Sequence, residues 1–357
     1  MRKISATILV YPYPWYSERL VHKDVYQFPD AIARSLKNEM TVLKGWLITG
    51  QERDDQSPIL LRTALLVNVL LVLLRLPILR FSSQAQTPCF VFFHISWPTA
   101  LLVGAVRLVW RGRARVVIKT DLNPNSELST SGGGSILERF SVRTLRPITD
   151  VFAAETSGAV HTLRRLFDQR QVILCRNGID LSSISHIDSL SRDIDVLVVS
   201  RFFVEKKGAA LYKEVIPQLL NAGLGIHLIG EGAEQFAIST ALRGNARIRV
   251  SEQMQHAEVL RAMRRARIFL SLSLSESFLI AIMEAYAMGC RVISTAVGVA
   301  PDLAKESSSI TIVPFNADDI VPQVLQAIGQ EQPIAPSRLG GWDDVVEDSG
   351  LIPQLTQ

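Results

Sequence analysis

The sequence predicts an α/β protein made of two doubly wound domains in series. Two observations carry this. Short runs of Val, Ile and Leu alternate with helical patterns along almost the whole chain. The runs are continuously apolar, as in parallel strands covered on both faces. One polar, Ser-rich stretch, LSSISHIDSLSR at 181–192, divides the series into two sets of about six strands.

In the first set, strands are predicted at 4–11, 41–48, 89–94, 115–119, 151–155 and 172–176, with helical patterns such as 23–37 and 98–110 between them. In the second set, strands are predicted at 195–200, 225–230, 247–251, 268–273, 291–295 and 310–314. Helices are predicted at 209–221, 233–242, 256–265, 278–288 and 317–328. The predicted domains are 1–182 and 193–335, with a segment at 336–357 that returns to the first domain. STSGGG at 129–134 reads as a mobile loop within the first. Ligands of such sheets bind beyond the carboxyl ends of the strands, so two facing domains are expected to enclose a central cleft.

The 357 residues are 48% hydrophobic and 20% charged, which supplies two cores and argues against disorder. Cys89, Cys175 and Cys290 are far apart and odd in number. They form no CxxC pair and no cluster with zinc spacing, so they read as buried thiols of a reducing compartment. Charge is uneven. Residues 1–180 hold 23 Lys and Arg against 14 Asp and Glu, net +9, and the remainder is net −5. A basic first half suits an anionic membrane surface, and an unevenly charged solvated surface is the plainer reading. The chain shows no nucleic-acid recognition motif. The start, MRKISATILVYPYP, has a short apolar run broken at Pro12 and no cleavage pattern, so no signal peptide and a cytoplasmic location are expected.

The segment ILLRTALLVNVLLVLLRLPILRF at 59–81 is the most apolar in the chain. Its longest uncharged run, 63–74, is shorter than the ~20 residues of a membrane span. A core helix, a membrane-surface helix and a span remain as readings, in that order. VRLVWRGRAR at 106–115 places Arg107, Arg111, Arg113 and Arg115 beside Trp110. With the apolar helix, it predicts a patch that rests on an anionic membrane.

The richest stretch for chemistry is SLSLSESFLIAIMEAYAMGCRVISTAVGVAPD at 271–302. A strand ends near Ser273, a polar loop with Glu276 follows, and an apolar helix from near Ser277 ends at Gly289. The helix start aims free N–H groups and partial positive charge beyond the strands, which suits a phosphate or a sugar hydroxyl. Ser277, Phe278, Leu279 and Ile280 form that start. Glu284, two turns in among Ile282, Met283, Ala285 and Ala287, is a carboxylate that needs partners, and two ribose hydroxyls would supply them. Glu276 is placed to hold hydroxyls of a sugar. A capping carboxylate and a solvated one are the bland alternative.

Glu276 and Glu284 in ESFLIAIMEAYAMG resemble the E-x7-E signature of retaining glycosyltransferase family 4. SRFFVEKKG (200–208), HLIGEG (227–232), RNGID (176–180) and VISTAVGVAPD (292–302) are similar to further segments of that family, in the same order. The resemblance covers about 152–302. It implies a GT-B fold of two Rossmann-like domains and transfer of a sugar from a nucleotide diphosphate sugar with retained configuration, without metal or other cofactor. Glu276, Arg201 and Lys207 become the catalytic candidates. The departing diphosphate needs positive charge that acts as its negative charge develops, and both basic residues follow a strand end. Lys206 is an equal choice of register for Lys207. Glu284, Lys206, residues 277–280 and Gly230 become the donor-binding set.

Two departures from the family stand out. YPYPWYSERLVHKD at 11–24 has no glycine where the family has a Gly-Gly turn, and Leu279 stands where the family has Gly. On the acceptor side, His94 and Asp121 end first-domain strands and are candidates to orient or deprotonate a hydroxyl. A structural histidine and a turn cap are the alternatives. Glu18, Arg19, His22 and Lys23 are weaker candidates. The sequence therefore predicts a nucleotide-sugar glycosyltransferase. Its expected acceptor is a glycan, either lipid-linked or an envelope polysaccharide intermediate, handled at the inner face of the cell membrane. The alternative is an inactive relative of the same fold that binds a nucleotide sugar or stabilises a partner.

Overall fold

The computed structural model describes residues 3–14, 23–46, 58–82, 87–120, 122, 136–168, 171–180, 184, 191–330 and 339–357. The chain divides into two compact units. The first is Met1–Gly178 with Gly341–Gln357, and the second is Ile179–Gly340.

The first unit holds strands β1 (Thr7–Tyr11), β2 (Met40–Lys44), β3 (Cys89–Phe93), β4 (Arg115–Thr120), β5 (Val151–Ala154) and β6 (Val172–Leu174). They form one parallel sheet in the order β2-β1-β3-β4-β5-β6. Its helices are α1 (Asp24–Ser35), α2 (Pro58–Ser82), α3 (Trp97–Trp110), α4 (Ile136–Leu145) and α5 (Ser157–Leu166), followed at the end of the chain by α12 (Trp342–Asp348) and α13 (Leu351–Thr356). Successive strand residues point to opposite faces. Ile8, Val10, Phe90, Phe92, Val116 and Ile118 therefore pack on α2, α3, α4 and α5. Leu9, Tyr11, Val91, Phe93 and Val117 pack on α1, α12 and α13. This two-sided burial is why the strands read as unbroken apolar runs.

The second unit repeats the plan with β7 (Ile194–Val199), β8 (Ile226–Ile229), β9 (Ile248–Ser251), β10 (Ala266–Ser271), β11 (Arg291–Ser294) and β12 (Ile310–Ile312). All are parallel, in the order β12-β11-β10-β7-β8-β9. Helices α6 (Ala209–Asn221), α7 (Ala233–Ser239) and α11 (Ala317–Ile328) cover one face. Helices α8 (His256–Arg265), α9 (Ile280–Ala287) and α10 (Ala300–Glu306) cover the other. The order is that of a Rossmann sheet, with its direction of winding reversing between β7 and β10.

Helix α2 is long and apolar enough, by length and composition, to cross a membrane. One stripe of it, Ala64, Asn68, Val69, Val72 and Leu76, is buried. Arg75 donates to the Lys44 carbonyl at 3.1 Å and lies 4.4 Å from the centre of the Trp46 ring. The basic patch predicted at 106–115 is divided by the fold. Arg107 reaches Asp150 at 2.7 Å and the carbonyls of Ile148 and Ala114, and Arg115 reaches the other Asp150 oxygen at 3.2 Å. These two arginines are spent on a mostly buried carboxylate. Of the segment's four arginines, only Arg111 and Arg113 remain exposed. All three cysteines are free and buried, and burial pushes the Cys290 thiol up to about 12.

Candidate functional site

The loops after β7 and β10 meet where the second sheet reverses direction. After β7 the chain passes Ser200 and Arg201 into a single 3-10 turn, Glu205–Lys207, closed by Gly208. Gly208 has φ 82, and a Cβ there would lie 1.9 Å from the Leu272 carbonyl oxygen. Only glycine allows this approach. It lets the turn dock against the end of β10, where the Leu274 N–H donates to the Lys206 carbonyl at 2.8 Å.

That docking decides which lysine enters the site. Lys207 Nζ reaches Glu276 Oε1 at 2.5 Å, and both side chains are mostly buried, 19% and 11% exposed. The Ser273 hydroxyl donates to the same carboxylate oxygen at 2.8 Å. Lys206 is exposed. The ambiguity of the KK pair is thus resolved in favour of Lys207 as the partner of Glu276. Arg201 is also exposed, and its guanidinium makes no hydrogen bond or ion pair among the described residues. Gly230, at the end of β8 with φ 132, lies against the Ser200 carbonyl, where a Cβ would approach to 2.0 Å.

The helix of the signature begins later than predicted. Ser277 and Phe278 lie before it, and Leu279 has φ 68 and ψ 69. That left-handed conformation costs a β-carbon-bearing residue roughly 1–2 kcal/mol, which explains the glycine of the resembling family at this position. Phe278 is buried and its carbonyl accepts from the Val299 N–H at 2.8 Å, which pins the turn. Helix α9 then starts at Ile280, whose side chain is exposed, so Glu284 stands one turn in rather than two.

Glu284 is 13% exposed and already has a partner that sequence reasoning missed. His256, the first residue of α8, places Nε2 2.7 Å from Glu284 Oε1. The hydrogen bond to Glu284 raises the His256 pKa above its ordinary value, against partial burial that lowers it, with Glu284 and Asp180 charges adding to the rise. A histidine 28 residues upstream at an exposed helix start carries no local signal of this contact.

In the first unit the winding reverses between β1 and β3. His94 follows β3 with φ 63, and its ring is 5.4 Å from that of Tyr13, which follows β1. Tyr13 and Ser96 hydroxyls are 3.0 Å apart, and Ser96 caps α3. Asp121, Glu18, Arg19 and His22 lie outside the described residues. Among the described residues no group of three or more His, Cys, Asp or Glu is placed to hold a metal ion.

Two Rossmann-like units in one chain define the GT-B fold, and solved structures agree. Sucrose-phosphate synthase from Thermosynechococcus elongatus aligns with a TM-score of 0.64 at 13% identity, over 98% of this chain and 94% of that one. Anabaena HepE, solved in complex with UDP, aligns with a TM-score of 0.60 at 11% identity, over 99% and 98%. Residues 193–330, nearly all of the second unit, match the family model for glycosyl transferases group 1. In Arabidopsis thaliana, one component of phosphatidylinositol N-acetylglucosaminyltransferase is 26% identical over 215 residues, 57% of this chain and 48% of that protein. The Homo sapiens protein of the same name is 30% identical over 165 residues, 44% and 34%. The matches thus span half or less of these relatives' lengths. Fold and family match together support a glycosyltransferase.

Proposed function

We propose that the chain is a retaining, metal-independent glycosyltransferase of family 4 that takes its sugar from a nucleotide diphosphate sugar held by the second unit. The Lys207–Glu276 pair at the reversal point of the second sheet carries this reading. An ammonium has three protons, and Glu276 takes one. The others are available to phosphate oxygens, and Arg201 adds an exposed guanidinium on the same loop. Both would act on charge that grows as the diphosphate leaves. Glu276 holds sugar hydroxyls and Glu284 the ribose, with Gly230, Ser277, Phe278, Leu279 and Ile280 shaping the donor side. The first unit, with His94 and Asp121, takes the acceptor at the cytoplasmic face of a membrane. The relatives' names make an N-acetylglucosamine donor and a phosphatidylinositol-type acceptor the first pair to assay. The UDP in the HepE structure makes UDP the first nucleotide carrier to try.

The test is release of nucleotide diphosphate by the purified protein with acceptor present. Glu276→Ala and Lys207→Ala should each lose about a hundred- to a thousandfold in rate while keeping the fold. Unchanged turnover in both removes the assignment. Leu279 at positive φ in place of glycine favours one second reading, a relative that binds nucleotide sugar without turnover. Calorimetric binding with no product from any UDP-, GDP- or ADP-sugar would select it.

A further inference from the structure

Helices α2, α3 and α4 lie side by side on one face of the first sheet. Their inner sides fill the core. Their outer sides carry large apolar residues in open solvent. On α2, Leu66, Leu70, Leu74 and Ile78 recur every four residues and are 51–69% exposed, and Phe81 continues the stripe at 89%. On α3, Leu101 and Leu108 are two turns apart and exposed. On α4, Ile136, Leu137 and Phe140 are exposed. Isolated apolar residues on a surface are ordinary, but a continuous field over three adjacent helices is not.

The charged residues of this face are nearly all basic. Helices α2, α3 and α5 contain no acidic residue, and α4 contains one, Glu138. Arg62 on α2, Arg111 and Arg113 after α3, Arg139 and Arg143 on α4 and Arg146 just beyond it are all exposed. Arginines fringing a field of leucine match a bilayer that is apolar inside and anionic at its surface. They do not match a protein partner whose rim carries both signs.

We propose that the outer face of α2, α3 and α4 lies flat on an anionic membrane, with α2 parallel to its plane. The packing argues against a span. Ala64, Val69, Val72 and Leu76 belong to the core of the first unit, and Asn68 is buried beside Gly45. Withdrawing the helix into lipid would open that core. The surface differs from the basic segment suggested by the sequence, because Arg107 and Arg115 are bound to Asp150 and the arginines of α4 take their place. The inference rests on the first unit alone and is independent of the donor-site reading.

The experiment is flotation of the full chain with phosphatidylcholine vesicles, with and without phosphatidylserine as a minor component. The wild-type chain should float with the anionic vesicles and remain largely soluble with the neutral ones. Leu70→Ser with Leu74→Ser should weaken binding on the order of a hundredfold, about tenfold for each leucine withdrawn from lipid. Arg139→Glu with Arg143→Glu should abolish the preference for anionic vesicles. Both pairs are exposed, so the melting temperature should be unchanged, and Leu325→Ser, at an exposed leucine of the second unit, serves as a control outside the field. Equal soluble fractions for the wild-type chain with both vesicle types would overturn the proposal. So would full flotation of the double-leucine variant, or a dimer in solution that the same substitutions dissociate.

Discussion

The two sheets reverse their winding at equivalent places, between β7 and β10 in the second unit and between β1 and β3 in the first. Loops leaving such a point diverge and leave a crevice at the carboxyl ends of the strands. The furnishing differs. The second unit places Lys207 on Glu276 and His256 on Glu284, an ion pair and a histidine hydrogen bond on mostly buried carboxylates. Among the described residues, the first places the Tyr13 and His94 rings and the Tyr13 and Ser96 hydroxyls there. Among the described residues, the same topology therefore presents different groups at the two points. Mobile protons beside buried carboxylates suit an anionic, hydroxyl-rich ligand, whereas aromatic faces with hydroxyls suit an uncharged sugar ring. Under the proposed function, the donor belongs to the charged point and the acceptor to the aromatic one.

The largest expected effect is at the turn that builds the charged point. Gly208→Ala puts a methyl group against the Leu272 carbonyl at a backbone angle that alanine resists. It should cost about 3 kcal/mol of stability and abolish the rise in melting temperature that a nucleotide sugar gives. A variant that melts and responds like the wild-type chain would show that the docked turn does not position Lys207.

A crossed pair of substitutions sharpens the division of labour. Glu284→Gln should weaken nucleotide-sugar binding by roughly ten- to a hundredfold, the worth of a charge-assisted hydrogen bond, and leave the acceptor KM unchanged. His94→Asn should do the reverse, because asparagine tolerates the positive φ of residue 94 while removing the imidazole. A loss of about a hundredfold in kcat/KM for acceptor is expected, with the donor Kd unaffected. Titration calorimetry and initial rates separate the two, and a donor defect in the His94 variant would break the comparison.

Much of this was legible in the residues. All twelve strands fall where continuous apolar runs end in polar loops, and α6, α8 and α11 occupy the predicted 209–221, 256–265 and 317–328. Two-face burial writes a strong one-dimensional signal. The misses are long-range or conformational. The late start of α9 follows from the left-handed Leu279, and no hydrophobic pattern reports a single φ. The pairing of Arg107 and Arg115 with Asp150 joins residues 35 to 43 positions apart, so a run of basic residues looked like open surface. Lys207 and Lys206 are equivalent in sequence, and the contact of Gly208 with Leu272, 64 residues on, separates them.

The smallest effect concerns His256, and its sign follows from linkage. Glu284 raises the His256 pKa in the folded chain. The contact therefore stabilises the fold fully below the ordinary histidine value of about 6.5 and loses that contribution as pH rises through the raised value. His256 is 56% exposed, so solvent screening holds the gain below about 1 kcal/mol. His256→Ala should be measurably less stable than the wild-type chain at pH near 6 and equal to it at pH near 9, by denaturant titration. Under the proposed function, the same contact competes with ribose for Glu284. The variant should therefore bind nucleotide a few times more tightly at the lower pH and no differently at the higher. A stability gap that does not close with rising pH would mean that His256 acts by packing, and the charged character assigned to the second reversal point would then rest on Lys207 and Glu276 alone.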